Sequence, residues 1–530
     1  MAAVGLASLK PIVAASIIQK MEVNSAAEVL LEMKTPVAAQ IMTKLTALDA
    51  EDALSKAAKI LIDCGSSKAA DIVADMPPSV CVWIFDQMDD GDAASILKEM
   101  AYVGAGYILA EIEADRATKI VLELDDQDAA YVLDDTESAS AAGILSEMDY
   151  WQAAAIVSKM VADAAAQVFA QMERNELAAC ICSEMESDAA AAVLQEMEYD
   201  AAANILHEME VPCAADIIAV MDYDDGAAYV LAELEFEHAA KILAHLEVED
   251  AAGIVAEMEF ETSAGALQEM EYDAASNILC SMDPSTAAGA VSLMEAEGAA
   301  NIMMAAQSYS DAGKIISHLT DECAAEMFSE MEVEAAAGIV ADLEYDCSAS
   351  ALALMDAESA GAVLKAMESF EDAAGILGEM EYEDAASLVE AVDSATATGF
   401  LSQMDIAESA KIFAELSIST SSAIASQMEY EDFAAIASRM DADTAAGILA
   451  EMEYDSAAET LCKVRPLVAA AILAEMEYAD AGAVVDQMDD VKALPLLKSS
   501  MVDAASILKE LSSSKADGLR AKLAKRFRKT

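Results

Sequence analysis

The chain has 530 residues, 56% of them hydrophobic, and carries 98 acidic against 29 basic residues for a formal charge of −69. That much apolar residue is more than an acidic disordered chain holds, which points to a folded protein with a very acidic surface. Such a surface repels nucleic acid and anionic membrane and attracts cations or basic proteins, so nucleic-acid binding by the main body is excluded.

The N-terminal stretch MAAVGLASLKPIVAAS lacks the charged-then-apolar profile of a secretory signal. From there one phrase of about twelve residues recurs, ending on Met21, Met33 and Leu45, then after a longer step on Cys64, Met76, Met88 and Met100. The register slips by one residue at Met185, Leu234, Leu319 and Met380 and otherwise holds through Met452, Met476 and Met488. Roughly forty such units follow one another, far more than a solenoid needs for stability. Acidic residues interrupt every apolar run, so no membrane-inserted span is expected.

The consensus is acid, aromatic or Val, acid, Asp/Ser/Thr, Ala, Ala, any residue, Ile, Leu/Val, any residue, Glu, Met, as in EVEDAAGIVAEM from Glu247 and EFETSAGALQEM from Glu259. Apolar residues at positions five, six, eight, nine and twelve follow the spacing of one helix face. At about 3.6 residues per turn, a twelve-residue period turns that face by roughly 120° per unit, so a single continuous helix has no seam to bury. The chain must bend once per unit.

The prolines locate the bend. Seven of the eight, Pro11, Pro36, Pro77, Pro78, Pro212, Pro284 and Pro466, fall at positions one to three, where a helix accepts proline. Asp283 before Pro284 reads as an N-cap, and acids in the first turn suit the positive helix end. Pro495 falls outside this rule and marks the decaying end of the array. Each unit is therefore a helix of two to three turns. Helices so short are marginal alone and must bury their apolar faces on one another. Glycine at position seven (Gly143, Gly253, Gly289, Gly375, Gly447) costs about 1 kcal/mol of helix propensity, which close helix contact would offset. The fold class expected is an all-α, right-handed α-solenoid.

Charge and regularity divide the chain into a near-neutral start at 1–63, a regular acidic array at 64–488, degenerate repeats at 489–511 and a basic tail at 512–530. Between Glu186 and Ala300 the only Lys or Arg is Lys241. The units DPSTAAGAVSLM (283 to 294) and DADTAAGILAEM (441 to 452) resemble those of the cytoplasmic N-terminal domain of MgtE-type magnesium transporters. That resemblance implies a right-handed superhelix of short helices and a divalent-cation habit. The transporters continue into regulatory modules and a membrane domain, neither of which has a counterpart in this sequence.

Several residue sets are candidates for function. Glu at position eleven and acid at position one give a recurring Glu-Met-Glu, whose stacked carboxylates could hold Mg²⁺ or Ca²⁺ or form a solvated, solubilising face. Asp222, Asp224 and Asp225 form a local acidic cluster without the spacing of a calcium loop. The aromatics at position two, among them Tyr199, Tyr223, Phe236, Phe260, Tyr345 and Tyr454, read either as anchors for a partner or as staples to a neighbouring helix. His238 and His245, seven apart, share a helix face without a third ligand. The basic residues Arg520, Lys522, Lys525, Arg526, Arg528 and Lys529 are the candidate partner contacts, for an anionic surface or for the acidic body of this or another copy. The nine cysteines show neither metal nor disulfide spacing, which suits a reducing, intracellular compartment. No catalytic motif or cofactor loop stands out of the repeat. The expectation is a non-catalytic scaffold that holds basic partner proteins in a larger or head-to-tail assembly; the alternative is a Mg²⁺- or Ca²⁺-responsive element.

Overall fold

A computed structural model describes residues 2–50, 52–100 and 102–527 of the chain. Helix is the only regular structure among them: 43 α-helices follow one another, most of eight to ten residues, joined by short extended linkers. The all-α solenoid class expected from the repeat is what forms. The helices gather into two compact bodies, Met1–Met270 and Glu271–Thr530.

One unit shows why the phrase folds as it does. In the helix Val248–Glu257, Ala251, Ala252, Ile254 and Val255 are buried, and the terminal Met258 is only 5% exposed. Glu257 and Glu259 on either side of that methionine are exposed. Glu-Met-Glu is thus a core methionine between two solvated carboxylates. Glu247 and Met258, which bracket the helix, have extended backbone, and this supplies the bend that the twelve-residue period requires.

The caps discriminate between the two acids. Asp283 accepts from the backbone N–H of Ser285 at 3.1 Å and of Thr286 at 3.4 Å. Asp441 does the same with Asp443 and Thr444. Wherever a side chain closes a cap among the described residues, it is Asp, Ser or Thr; Glu247, Glu259 and Glu271 occupy the same position without that bond. The extra methylene of Glu carries its carboxylate past the amides, leaving only the attraction to the helix end.

Within each body, most helices pack chiefly on the helix two further along the chain. This explains the glycines. Tyr223, at position two, lies on Gly253, and Phe236 lies on Gly265, where an added Cβ would stand 2.8 Å and 2.5 Å from the rings. Tyr309 on Gly338, Tyr345 on Gly375 and Phe370 on Gly399 repeat the arrangement in the second body. The phenols then reach an acid of the same target helix: Tyr223 donates to Asp250 at 2.6 Å, Tyr345 to Asp372 at 2.7 Å and Tyr454 to Asp480 at 3.1 Å. The aromatics are staples, but to the next-but-one helix.

Basic residues reach one helix further. Lys56 donates to the carbonyls of Gln19 at 2.6 Å and Met21 at 2.5 Å, beyond the helix Pro11–Ile18. Lys68 does so to Met33 at 3.3 Å and Arg116 to Met88 at 2.6 Å. In each case a cation near the start of one helix closes carbonyls just past the C-terminal end of the helix three earlier.

The one-residue slips are absorbed in two ways. Those before Met185, Leu319 and Met380 lengthen the linker, with Arg174, Ser308 and Ser369 extended ahead of the next helix. The slip before Leu234 enters the helix instead as a π turn, Tyr223–Ala227, closed by Ala227 N–H to Asp222 O at 2.9 Å. At the end of the array Pro495 sits inside the helix Asp490–Leu497. Gly65, before the helix Ser66–Ala74, has φ 80°, a conformation that glycine alone adopts without strain.

Candidate functional site

Exposed carboxylates recur at positions one, three and eleven of the units in each body. From Glu186 to Met270 in the first body, Lys241 is the sole Lys or Arg, and it is held by Glu237 of its own helix at 2.6 Å. The other carboxylates of this stretch have no ion-pair partner among the described residues. They do not converge, however: no group of three or more His, Cys, Asp or Glu side chains among the described residues is arranged to hold a metal ion. Asp222 lies at the foot of the π turn; the side chains of Asp224 and Asp225 are outside the described residues.

The histidines meet in a pair other than the one suggested by spacing. His207 and His238 bring their rings to 4.8 Å, across helices 31 residues apart in sequence. Burial, then the neighbouring His207, holds the imidazole of His238 below its ordinary value. His245 instead turns its Nδ1 to the carbonyl of Lys241 at 2.9 Å, and His318 does the same to Lys314. The cysteines are all free thiols, and burial pushes Cys81 and Cys182 up to about 12, far from the range of a reactive thiolate.

The C-terminal cations whose side chains are described, Lys515, Arg520 and Lys522, fold back on their own body. Arg520 donates to the carbonyl of Leu508 at 3.1 Å and lies 3.5 Å from Asp517. Lys522 pairs with Asp490, and Lys515 donates to the carbonyls of Asp486 and Met488, repeating the three-helix reach of Lys56. Lys525 and Arg526 lie on the helix Ser513–Phe527, their side chains outside the described residues, as are Arg528 and Lys529 entirely.

A second basic locus was not singled out by the sequence reading. A cleft of about 330 Å³ is lined by Leu461, Cys462, Lys463, Val464, Arg465, Pro466, Lys492, Pro495 and Leu496. Three of these residues are cationic and none is acidic. The signal was present in the repeat: Lys463-Val464-Arg465 stands where Glu-Met-Glu recurs elsewhere.

No helix among the described residues is long and apolar enough to cross a membrane. No curated protein matches the sequence. Among solved structures, a chain from "Structure of the Pds5-Scc1 complex and implications for cohesin function" aligns at 10% identity over 94% of this chain and 88% of its own, with a TM-score of 0.22, too distant to bear on function. The sequence pattern of the MgtE intracellular N domain matches seven stretches in two overlapping sets: 53–139, 102–186, 136–230, 175–261 and 224–311, then 395–466 and 418–513. Together they cover more than half of the chain, with the same domain pattern read again from successive starting units. The chain belongs to the MgtE intracellular N domain family.

Proposed function

We propose that the chain is a non-catalytic scaffold whose exposed carboxylate face holds basic partner proteins within a larger intracellular assembly. The observation that carries this reading is the stretch from Glu186 to Met270, where exposed carboxylates recur in every unit and the single lysine is already paired. Unneutralised charge repeated at a fixed interval suits a partner held by many weak contacts, with electrostatic steering of its approach. The C-terminal cations offer a contact of opposite sign, for an acidic partner or for the acidic face of another copy. The test is titration of the full chain with a Lys/Arg-rich peptide over a range of salt. Affinity should fall as salt rises, and should weaken when Glu257, Glu259 and Glu269 are changed to Gln. Binding indifferent to both salt and those substitutions would sink the proposal.

A second reading is a cation-responsive element, supported by family membership and by the same unpaired carboxylates. Here Mg²⁺ or Ca²⁺ acts on the whole carboxylate face by relieving repulsion between units, and the chain compacts. Scattering with and without millimolar Mg²⁺ at matched ionic strength separates the two, because an unchanged radius of gyration removes the second reading alone.

A further inference from the structure

The three departures from the repeat that meet at the cleft of the second body act together. The unit that closes on Val464 ends with Lys463 and hands over to Arg465, replacing two carboxylates by two cations. Lys492 enters from the helix Asp490–Leu497, its ammonium 3.4 Å from the carbonyl of Cys462. Pro495 in that helix has no N–H to donate and no place in the repeat pattern, and it forms part of the cleft wall with Leu496. The cations are not all consumed internally. Lys463 is held by Glu431 at 2.5 Å, whereas Arg465 forms no ion pair among the described residues. Glu459 and Asp489 bear on the Cys462 thiol but do not line the cleft.

We propose that this cleft is an anion-binding site for a compact multivalent phosphate of the diphosphate class. The planar guanidinium of Arg465 matches paired phosphate oxygens, and Lys492, bound among the described residues only to a neutral carbonyl, supplies a second charge from another helix, with the Glu431-paired Lys463 at the cleft wall. A volume of about 330 Å³ lies at the small end of ligand sites, which favours a compact anion over a bulky one. Position one carries acid in most units of the described array, with Lys10, Lys34 and Arg174 among the other exceptions; an anion finds a complement here because Arg465 shares one cleft with Lys463 and Lys492.

The same repeat supplies a clean test. Arg465→Glu restores the residue that Glu247, Glu259 and Glu453 occupy before their own helices, so the variant keeps the local fold. Titration calorimetry on the full chain with inorganic pyrophosphate should give saturable binding that weakens by about tenfold or more in Arg465→Glu. Arg439→Glu, which removes an exposed cation from the turn after the helix Tyr430–Ala437, outside the cleft, should leave that affinity unchanged. Circular dichroism and melting of the unliganded variants monitor the fold, and Lys492→Ala provides a second route to the same loss. Equal weakening by Arg439→Glu would show that bulk charge alone is at work and overturn the proposal. So would pyrophosphate affinity unaffected by Arg465→Glu and Lys492→Ala, including the case in which Arg465→Glu alters only self-association, which would make the cleft a contact for acidic protein.

Discussion

At Gly375 two preferences oppose each other. Alanine there would gain about 1 kcal/mol of helix propensity. Its Cβ, however, would come within 2.7 Å of Tyr345 Cδ2, and overpacking of this kind costs about 1–3 kcal/mol. Gly375→Ala should therefore destabilise its neighbourhood, and should become stabilising once Tyr345 is also Ala. Gly143, whose nearest obstacle is Ala114 Cβ at 3.8 Å, should be stabilised by the same change. Because long arrays do not unfold in one step, amide exchange around each site is the measurement to make. The caps give a second prediction. Asp441→Ala should cost about 1 kcal/mol, and Glu247→Ala less, since only the aspartate reaches the amides. The side-chain hydroxyl of Thr444, then its backbone N–H, holds the Asp441 carboxyl below its ordinary value. A carboxyl lowered on folding stabilises above its unfolded value and loses that contribution as pH falls through the folded one. The gap between wild type and Asp441→Ala should therefore be constant at neutral pH and close below the usual carboxylate range, as followed by exchange or melting across an acid series.

At the level of the helix, the repeat was legible because its period and its face disagree: twelve residues cannot keep one stripe on one side of a helix, so the bends could be counted and prolines such as Pro284 located them. The partners of each helix were not legible. Nothing in EFETSAGALQEM says that position two reaches the helix two along, because twelve-residue periodicity is the same whichever neighbour is chosen. The spacing of 29 or 30 residues from Phe236 to Gly265 or from Tyr345 to Gly375 held the answer, but only once the packing order was known. The same limit hid the pairing of His207 with His238 and the convergence of Lys492 on Arg465. The π turn yields a prediction at this scale. Removing Gly226 leaves DYDDAAYVLAEL, a regular unit in which Tyr223 still stands at position two. The deletion should convert the turn to α-helix, keep the Tyr223–Asp250 bond and gain up to about 1 kcal/mol from the lost glycine, seen as slower exchange of the Ala227–Leu231 amides.

For the chain as a whole, self-repulsion is the dominant electrostatic term, because 98 acidic residues face 29 basic ones. Most ion pairs among the described residues are exposed and worth little each. Added salt shortens the range of repulsion to about 8 Å at physiological strength, so melting temperature should rise with ionic strength. A protein held by its surface ion pairs would show the reverse, and a falling melting temperature would contradict this account. The C-terminal helix should respond in the opposite sense, since Lys522 is held by Asp490. Exchange along Ser513–Phe527 should quicken with salt while the acidic units slow.

The aromatic–glycine stack sets a length that the repeat alone does not. Tyr345 and the Gly375 that receives it lie in units one and three of a run from Glu344 to Met380, so a segment must hold about three repeats before it contains one complete pair. A single copied unit would arrive with an aromatic whose glycine was left behind and a glycine with no ring to receive. If arrays of this kind grow by duplication, the smallest heritable piece that carries its own packing is thus a triplet, and single-unit gains should survive best where position two is aliphatic and position seven is not glycine.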